Sequence, residues 1–217
     1  YCIASLVADD NGNLYYKNDS GNIFCLSTRT SEDVLVSIAD KGSVELSYAA
    51  VNAYDRNNDG SIDIDEVMYA THEQYYEGGA AAGYASATGD YGAYITKLWG
   101  DESGNFGYFV DDKMAMGLGD KVGRGQHVYA YINANSYPNN DAYAFFETPA
   151  FDCETYAAAS VKLIAQNGYD ENWSPKFEGY DKAQLKAYTA DLKTEAEGFK
   201  AESKGNGEYS ISFAKAG

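Results

Sequence analysis

A chain of 217 residues can bury a sizeable core, and at roughly 100 to 200 residues per domain it holds one or two domains plus a fragment. Sixteen basic against 33 acidic residues leave a formal charge of -17, which repels a phosphate backbone and argues against a nucleic-acid partner. No stretch approaches the 18 apolar residues of a spanning helix, so membrane insertion is not expected, while 21 Tyr and 22 Gly against 3 Pro point to short strands joined by turns.

The chain opens in mid-strand without an initiator Met or signal segment and reads as a piece of something longer. Residues 1–26 alternate apolar runs with turns at Asp9-Asp10-Asn11-Gly12 and Asn18-Asp19-Ser20-Gly21, the pattern of a three-stranded meander occupying 1–30. The three cysteines, Cys2, Cys25 and Cys153, follow no CxxC spacing and write neither a zinc site nor a disulfide scaffold. Cys2 and Cys25 can pair if their strands meet, but Cys25 lies in the apolar run Ile23-Phe24-Cys25-Leu26, where a buried free thiol is the preferred reading.

Past a polar joint, residues 34–54 read as two strands about a turn at Asp40-Lys41-Gly42. Residues 67–76 read as a helix with Val67, Met68, Ala70 and Tyr75 apolar, and the small-residue stretch 78–89 as a loop. Strands are expected at 93–99, 107–111 and 127–133, the last alternating Val128, Ala130 and Ile132 with Tyr129, Tyr131 and Asn133. The aromatic pair of Tyr143-Ala144-Phe145-Phe146 is expected in the core, closing a domain that spans 34–149. A further domain, 150–217, opens with a strand at 160–166 and ends in the hairpin signal Gly205-Asn206-Gly207 before the alternating Tyr209, Ile211 and Phe213. Residues 181–200 are ambiguous, with strands preferred to a helix.

Between strand and helix lies Asp55-Arg56-Asn57-Asn58-Asp59-Gly60-Ser61-Ile62-Asp63-Ile64-Asp65-Glu66. Calcium is a hard cation that takes six to eight oxygens, and a twelve-residue EF-hand loop supplies them from positions 1, 3, 5, 7, 9 and 12, with glycine at 6 for the sharp turn. Asp55, Asn57 and Asp59 provide side-chain oxygens, Ser61 its carbonyl, Asp63 a direct or water-mediated contact and Glu66 a bidentate carboxylate. Ile62 at position 8 is the apolar anchor whose backbone leaves the loop to pair with a neighbour. No second loop of this kind occurs, which favours a structural clip in the weak extracellular range of affinity over a sensor.

Four stretches then occur in order: AYDRNNDGSIDIDEVMYATHEQYYEGGAAAGY, YITKLWGDESGNFGYFVDD, GQHVYAYINA and DAYAFFE. Together they resemble a cell-surface domain of unknown function from gut Firmicutes, distantly related to the C-terminal domain of transcobalamin. The resemblance covers about residues 43–147 and implies a β-grasp-like fold whose glycine-aromatic strand ends in a turn, here Asp111-Asp112-Lys113. The opening YCIASLVADDNGNLYYKNDSGNIFCL is similar to the closing repeat of propellers of the pyrroloquinoline-quinone-dehydrogenase type. EGYDKAQLKAYTADLK and NGEYSISFAKAG are similar to an immunoglobulin-like repeat, here short of its expected last strand. Such domains sit in large secreted proteins between propeller and immunoglobulin-like repeats. Relatives carry a Trp-Ser-Asp-like word where this chain has Tyr137-Pro138-Asn139-Asn140-Asp141, so a role resting on that tryptophan does not carry over, and no residues match for corrinoid binding.

Elsewhere the chemistry is bland. His72 and His127 lack an HExxH context and read as structural, no signature supports Cys153 as a nucleophile, and the words Gly117-Leu118-Gly119 and Gly123-Arg124-Gly125 are turns. The expectation is a β-rich α+β chain: a β-grasp-like domain with one EF-type loop and helix, plus a partial immunoglobulin-like β-sandwich. Its expected role is an extracellular, calcium-stabilised, non-catalytic cell-surface module, structural or adhesive, facing a cell-wall or host glycan or protein. The competing expectation is a carbohydrate-binding module using exposed aromatics among Tyr75, Tyr76, Tyr91, Tyr94, Trp99, Tyr108 and Trp173.

Overall fold

Apolar alternation governs most of the chain in the computed structural model, which describes residues 6–9, 13–18, 20–26, 30–134, 141–172 and 174–216. Cys2, the turn residues 10–12, most of the 137–141 word and Trp173 lie outside the described residues. The first strands, β1 (Val7–Ala8), β2 (Leu14–Lys17) and β3 (Ile23–Leu26), form the expected antiparallel meander in the order β1-β2-β3, with Val7 opposite Tyr15 and Tyr16 opposite Phe24. Asparagine and aspartate close its turns: Asp9 Oδ1 accepts from the Asn13 amide (2.9 Å) and Asn18 Oδ1 from that of Asn22 (2.9 Å). Cys25, expected to be buried, is instead an exposed free thiol. Its run forms a strand, but all four β3 residues are exposed, because apolar alternation specifies a strand and not the layer that covers it.

Next come β4 (Ser31–Asp40) and β5 (Ser43–Tyr54), turned by Lys41 and Gly42 at φ 48° and 92°, the doubly left-handed pair that matches strand twist in a hairpin. They are followed by α1 (Ile64–Tyr75), α2 (Gly79–Gly83), β6 (Ala85–Gly89), β7 (Gly92–Lys97), β8 (Phe106–Val110), β9 (Lys113–Met114) and β10 (His127–Ile132). The chain ends with β11 (Ala144–Phe146), β12 (Ala159–Tyr169), β13 (Pro175–Gly179), β14 (Lys200–Gly205) and β15 (Glu208–Ser212). Beyond the meander, the sheets run β5-β4-β10-β8-β9, β11-β12-β15-β14 with β13 added on β12, and the hairpin β6-β7. The protein is β-rich, with several sheets and two helices among the described residues.

Two compact units make up the chain: Tyr1–Val36, Tyr48–Gly104 and Ala115–Tyr129 form the first, and Ser37–Ser47, Asn105–Met114 and Ala130–Gly217 the second. Within the first, Val34, Val51, Ile62, Ile64, Val67, Met68, Leu98, Leu118 and Val128 are buried. Within the second, Val161 and Leu163 of β12 meet Tyr209 and Ile211 of β15 in a core flanked by Phe199 and Phe213. The same unit carries aromatic contacts, with Phe109 stacked flat on Tyr143 at 3.7 Å and Phe145 edge-on to Phe177 at 5.1 Å.

Four local expectations are corrected. The helix starts at Ile64, three residues before the expected 67, because Asp63 caps it. Residues 78–89 are not a loop: Gly78 at φ 89° turns the chain and the alanine-rich 79–83 winds into α2, after which β6 pairs with β7. Phe146 is exposed while Phe145 is half-buried, since successive strand residues face opposite sides. Before β14, residues 181–199 form no helix and only one antiparallel bridge, Tyr188 with Glu195. There Asp191 holds the turn, Oδ1 accepting from the amides of Lys193 and Thr194, both at 2.9 Å.

Candidate metal centre

The loop between β5 and α1 is anchored at both ends by backbone pairing. At entry the Asp55 amide donates to the Thr30 carbonyl (2.9 Å). At exit, Val122 N–H donates to the Ile62 carbonyl (2.9 Å), Ile64 N–H to that of Asp120 (3.2 Å) and Asp65 N–H to that of Leu118 (3.1 Å), with Asp63 and Lys121 bridged antiparallel. Ile62 is thus the buried anchor expected at position 8, and the 118–122 segment is its partner.

Inside the loop, polar side chains fold the backbone around themselves. Asp55, almost fully buried, accepts from the amides of Asp59 (3.2 Å) and Gly60 (2.8 Å). Asn57 Oδ1 accepts from the Asp59 amide at 2.8 Å, and Asp59 Oδ1 from the Ser61 amide at 2.9 Å. Gly60 at φ 87° makes the turn that position 6 requires, and Asn58 at φ 60° tolerates the same region through its short amide side chain. Glu66, also buried, reaches back across the loop, Oε1 accepting from the amides of Arg56 (2.6 Å) and Asn57 (3.2 Å).

Asp63 and Glu66 serve a second purpose. Asp63 Oδ1 accepts from the Glu66 amide (3.0 Å) while Glu66 Oε2 accepts from the Asp63 amide (3.3 Å), a reciprocal capping box that starts α1. Burial pushes the carboxyls of both above their usual range, the expected result of taking crowded carboxylates out of water. Asp59 goes the opposite way: hydrogen bonds from Ser61 and then from Lys121 hold it well below the usual range. The Lys121 ammonium sits 3.0 Å from Asp59 Oδ2 and also donates to Ser61 Oγ. No family model, curated protein or solved structure matches this chain.

All six sequence-derived positions, Asp55, Asn57, Asp59, Ser61, Asp63 and Glu66, therefore stand on one ordered loop, and their donor set consists of hard oxygens. Among the described residues, no three His, Cys, Asp or Glu side chains are gathered as a ready-made metal group, and Asp59 is turned toward Lys121. Sequence reasoning missed two partners. Lys121 lies 62 residues from Asp59, and only the pairing of 118–122 with the loop exit brings it there. Tyr84, whose hydroxyl donates to Asp65 Oδ1 at 2.7 Å, ties the loop to the start of β6. Neither carries a local signal.

Behind the loop, α1 rests on an aromatic cluster. His72 is fully buried, packed against Tyr84 at 5.1 Å and Trp99 at 5.2 Å, with Tyr76 edge-on to Trp99. Tyr76 and Trp99 are thereby part of this packing, whereas Tyr75, Tyr91 and Tyr94 are exposed; Tyr75 donates to the Ala50 carbonyl at 2.7 Å. His127 stacks on Tyr48 at 4.3 Å. No helix of the described residues is long and apolar enough to cross a membrane.

Proposed function

We propose that this protein is an extracellular, non-catalytic cell-surface module, structural or adhesive in role, whose first unit is clipped by one calcium ion in the loop from Asp55 to Glu66. The observation that carries the reading is the loop's hydrogen-bond lattice. Its position-1, position-3 and position-5 oxygens each accept from backbone amides two to five residues on, and glycine makes the turn at position 6. That lattice orders the loop around its own oxygens, and Asp63 and Glu66, whose carboxyls burial raises above their usual range, would gain a counter-charge from a divalent cation. Asp55, Asn57, Asp59, Ser61, Asp63 and Glu66 would hold the ion, which supplies charge neutralisation and rigidity rather than chemistry.

The finer fold reading rests on strand order. In β5-β4-β10-β8-β9, β10 lies between the hairpins β4-β5 and β8-β9, and α1 lies in the connection from one hairpin to the other. That arrangement supports a β-grasp-like domain, in keeping with the resemblance to the Firmicutes surface domain. β12, β15 and β14 with β11 support an immunoglobulin-like reading of the chain's last third.

The test is a calorimetric titration of calcium into chelator-stripped protein, paired with thermal melts with and without the ion and a magnesium control. One site is expected. At calcium about 100 times the dissociation constant, stability rises by about 2.7 kcal/mol, a melting-temperature gain of roughly 5 to 11 °C. Absence of heat together with identical melts in chelator and calcium would leave the loop an acidic turn.

A further inference from the structure

We propose that Lys121 is a built-in counter-cation of the acidic loop, which calcium must displace from Asp59, and that this competition sets the loop's affinity. The inference rests on the calcium reading and concerns how that same site is regulated.

Backbone pairing makes the placement of Lys121 a property of the fold rather than an accident of a flexible side chain. Ile62 and Ile64 are hydrogen-bonded to Val122 and Asp120, so Lys121 stands directly across from Asp63, position 9 of the loop. From there its ammonium reaches Asp59 Oδ2 at 3.0 Å and donates to Ser61 Oγ, while Ser61 Oγ donates to Asp59 Oδ1. Both oxygens of the position-5 carboxylate are thus engaged by groups that a calcium ion would have to outcompete, and Asn57 Nδ2 adds a second donor to Oδ2 at 3.3 Å. In a chain with only 16 basic residues among 33 acidic ones, a lysine held over the loop by main-chain pairing opposes the attraction that the surrounding carboxylates exert on a divalent ion.

Exposure limits the size of the effect. The Lys121 and Asp59 side chains are 57% and 42% exposed, so the pair is screened by water, and its strength is that of a surface ion pair. Removing the ammonium should therefore tighten calcium binding about two- to fivefold, not by orders of magnitude. The gain should shrink as salt shortens the range of the repulsion.

The experiment compares calcium titrations of the wild-type chain with Lys121→Met, Lys121→Arg and Lys204→Met. Lys204 pairs with Glu202 on β14, so Lys204→Met removes the same charge away from the loop. Circular dichroism and a melt in chelator establish that each variant is folded. Expected are a two- to fivefold lower Kd for Lys121→Met at low salt, a near wild-type Kd for Lys121→Arg, and no comparable tightening for Lys204→Met. An unchanged or higher Kd for Lys121→Met overturns the proposal, as does equal tightening by Lys204→Met, which would make it a matter of net charge. If neither wild type nor Lys121→Met binds calcium, the calcium reading itself falls and this inference falls with it.

Discussion

His72 is a fully buried residue that is polar and titratable, with both ring nitrogens committed to partners within the fold. Trp99 N–H donates to Nε2 at 3.1 Å, so the ring proton sits on Nδ1, where it donates to the Met68 carbonyl at 2.7 Å. Both nitrogens are used by a neutral ring, and burial depresses the pKa to about 4 against an ordinary 6.5. The sign follows from linkage. Below about 6.5 the unfolded chain takes up a proton that the folded ring refuses, so the stability His72 confers is full above that pH and drains as pH falls toward 4. By pH 5 the loss should be about 2 kcal/mol from this residue alone. Denaturant melts between pH 7.5 and 5, with an NMR titration of the His72 ring, check it; an imidazole that titrates near 6.5 in the folded protein would contradict it. Sequence already favoured a structural histidine, since no metal or nucleophile motif surrounds it. Its partners were invisible, because Trp99 lies 27 residues away and reaches it through the backbone of a turn.

At the scale of elements, α1 shows what local sequence can and cannot specify. The capping pair Asp63 and Glu66 and the apolar residues behind them made a helix legible, and the loop pattern singled out six positions that the structure places on one loop. What covers the helix was not legible, because Tyr84 and Trp99 come from later segments with ordinary aromatic neighbours. Nor was α2, whose glycines at both ends read as a loop until the fold required a tight return. Gly83 is the critical point of that return: a Cβ there would lie 2.5 Å from Tyr76 Cδ1 and 2.9 Å from His72 Cδ2, inside the aromatic cluster. Gly83→Ala should therefore act as an overpacking substitution, costing about 1 to 3 kcal/mol and lowering the melting temperature by roughly 2 to 12 °C. Gly117→Ala, where a Cβ would meet nothing within 4 Å, is the matched control and should melt near wild type. Equal melting temperatures for Gly83→Ala and wild type would mean that the cluster yields more easily than its packing indicates.

For the whole molecule, the division into two compact units is what composition could not supply. The net charge of -17 and the tyrosine-rich strands spoke to class and partner sign, and the apolar run at β3 to a strand, but none of them said which stretches cohere. The six candidate loop positions, Lys121, Tyr84 and the His72 cluster all belong to the first unit, whereas Val161, Leu163, Tyr209 and Ile211 close a separate core in the second. An ion that binds only the folded loop adds its linkage energy to every opening that releases it and to no opening that leaves the loop intact. Hydrogen exchange followed by mass spectrometry should thus show a regional response. At calcium about 100 times the dissociation constant, amides of 55–75 and of 118–122 should exchange up to about 100-fold more slowly, while those of β12 and β15 keep their apo rates. Uniform slowing along the chain would show instead that both units open as one cooperative block, with calcium stabilising the second as strongly as the first.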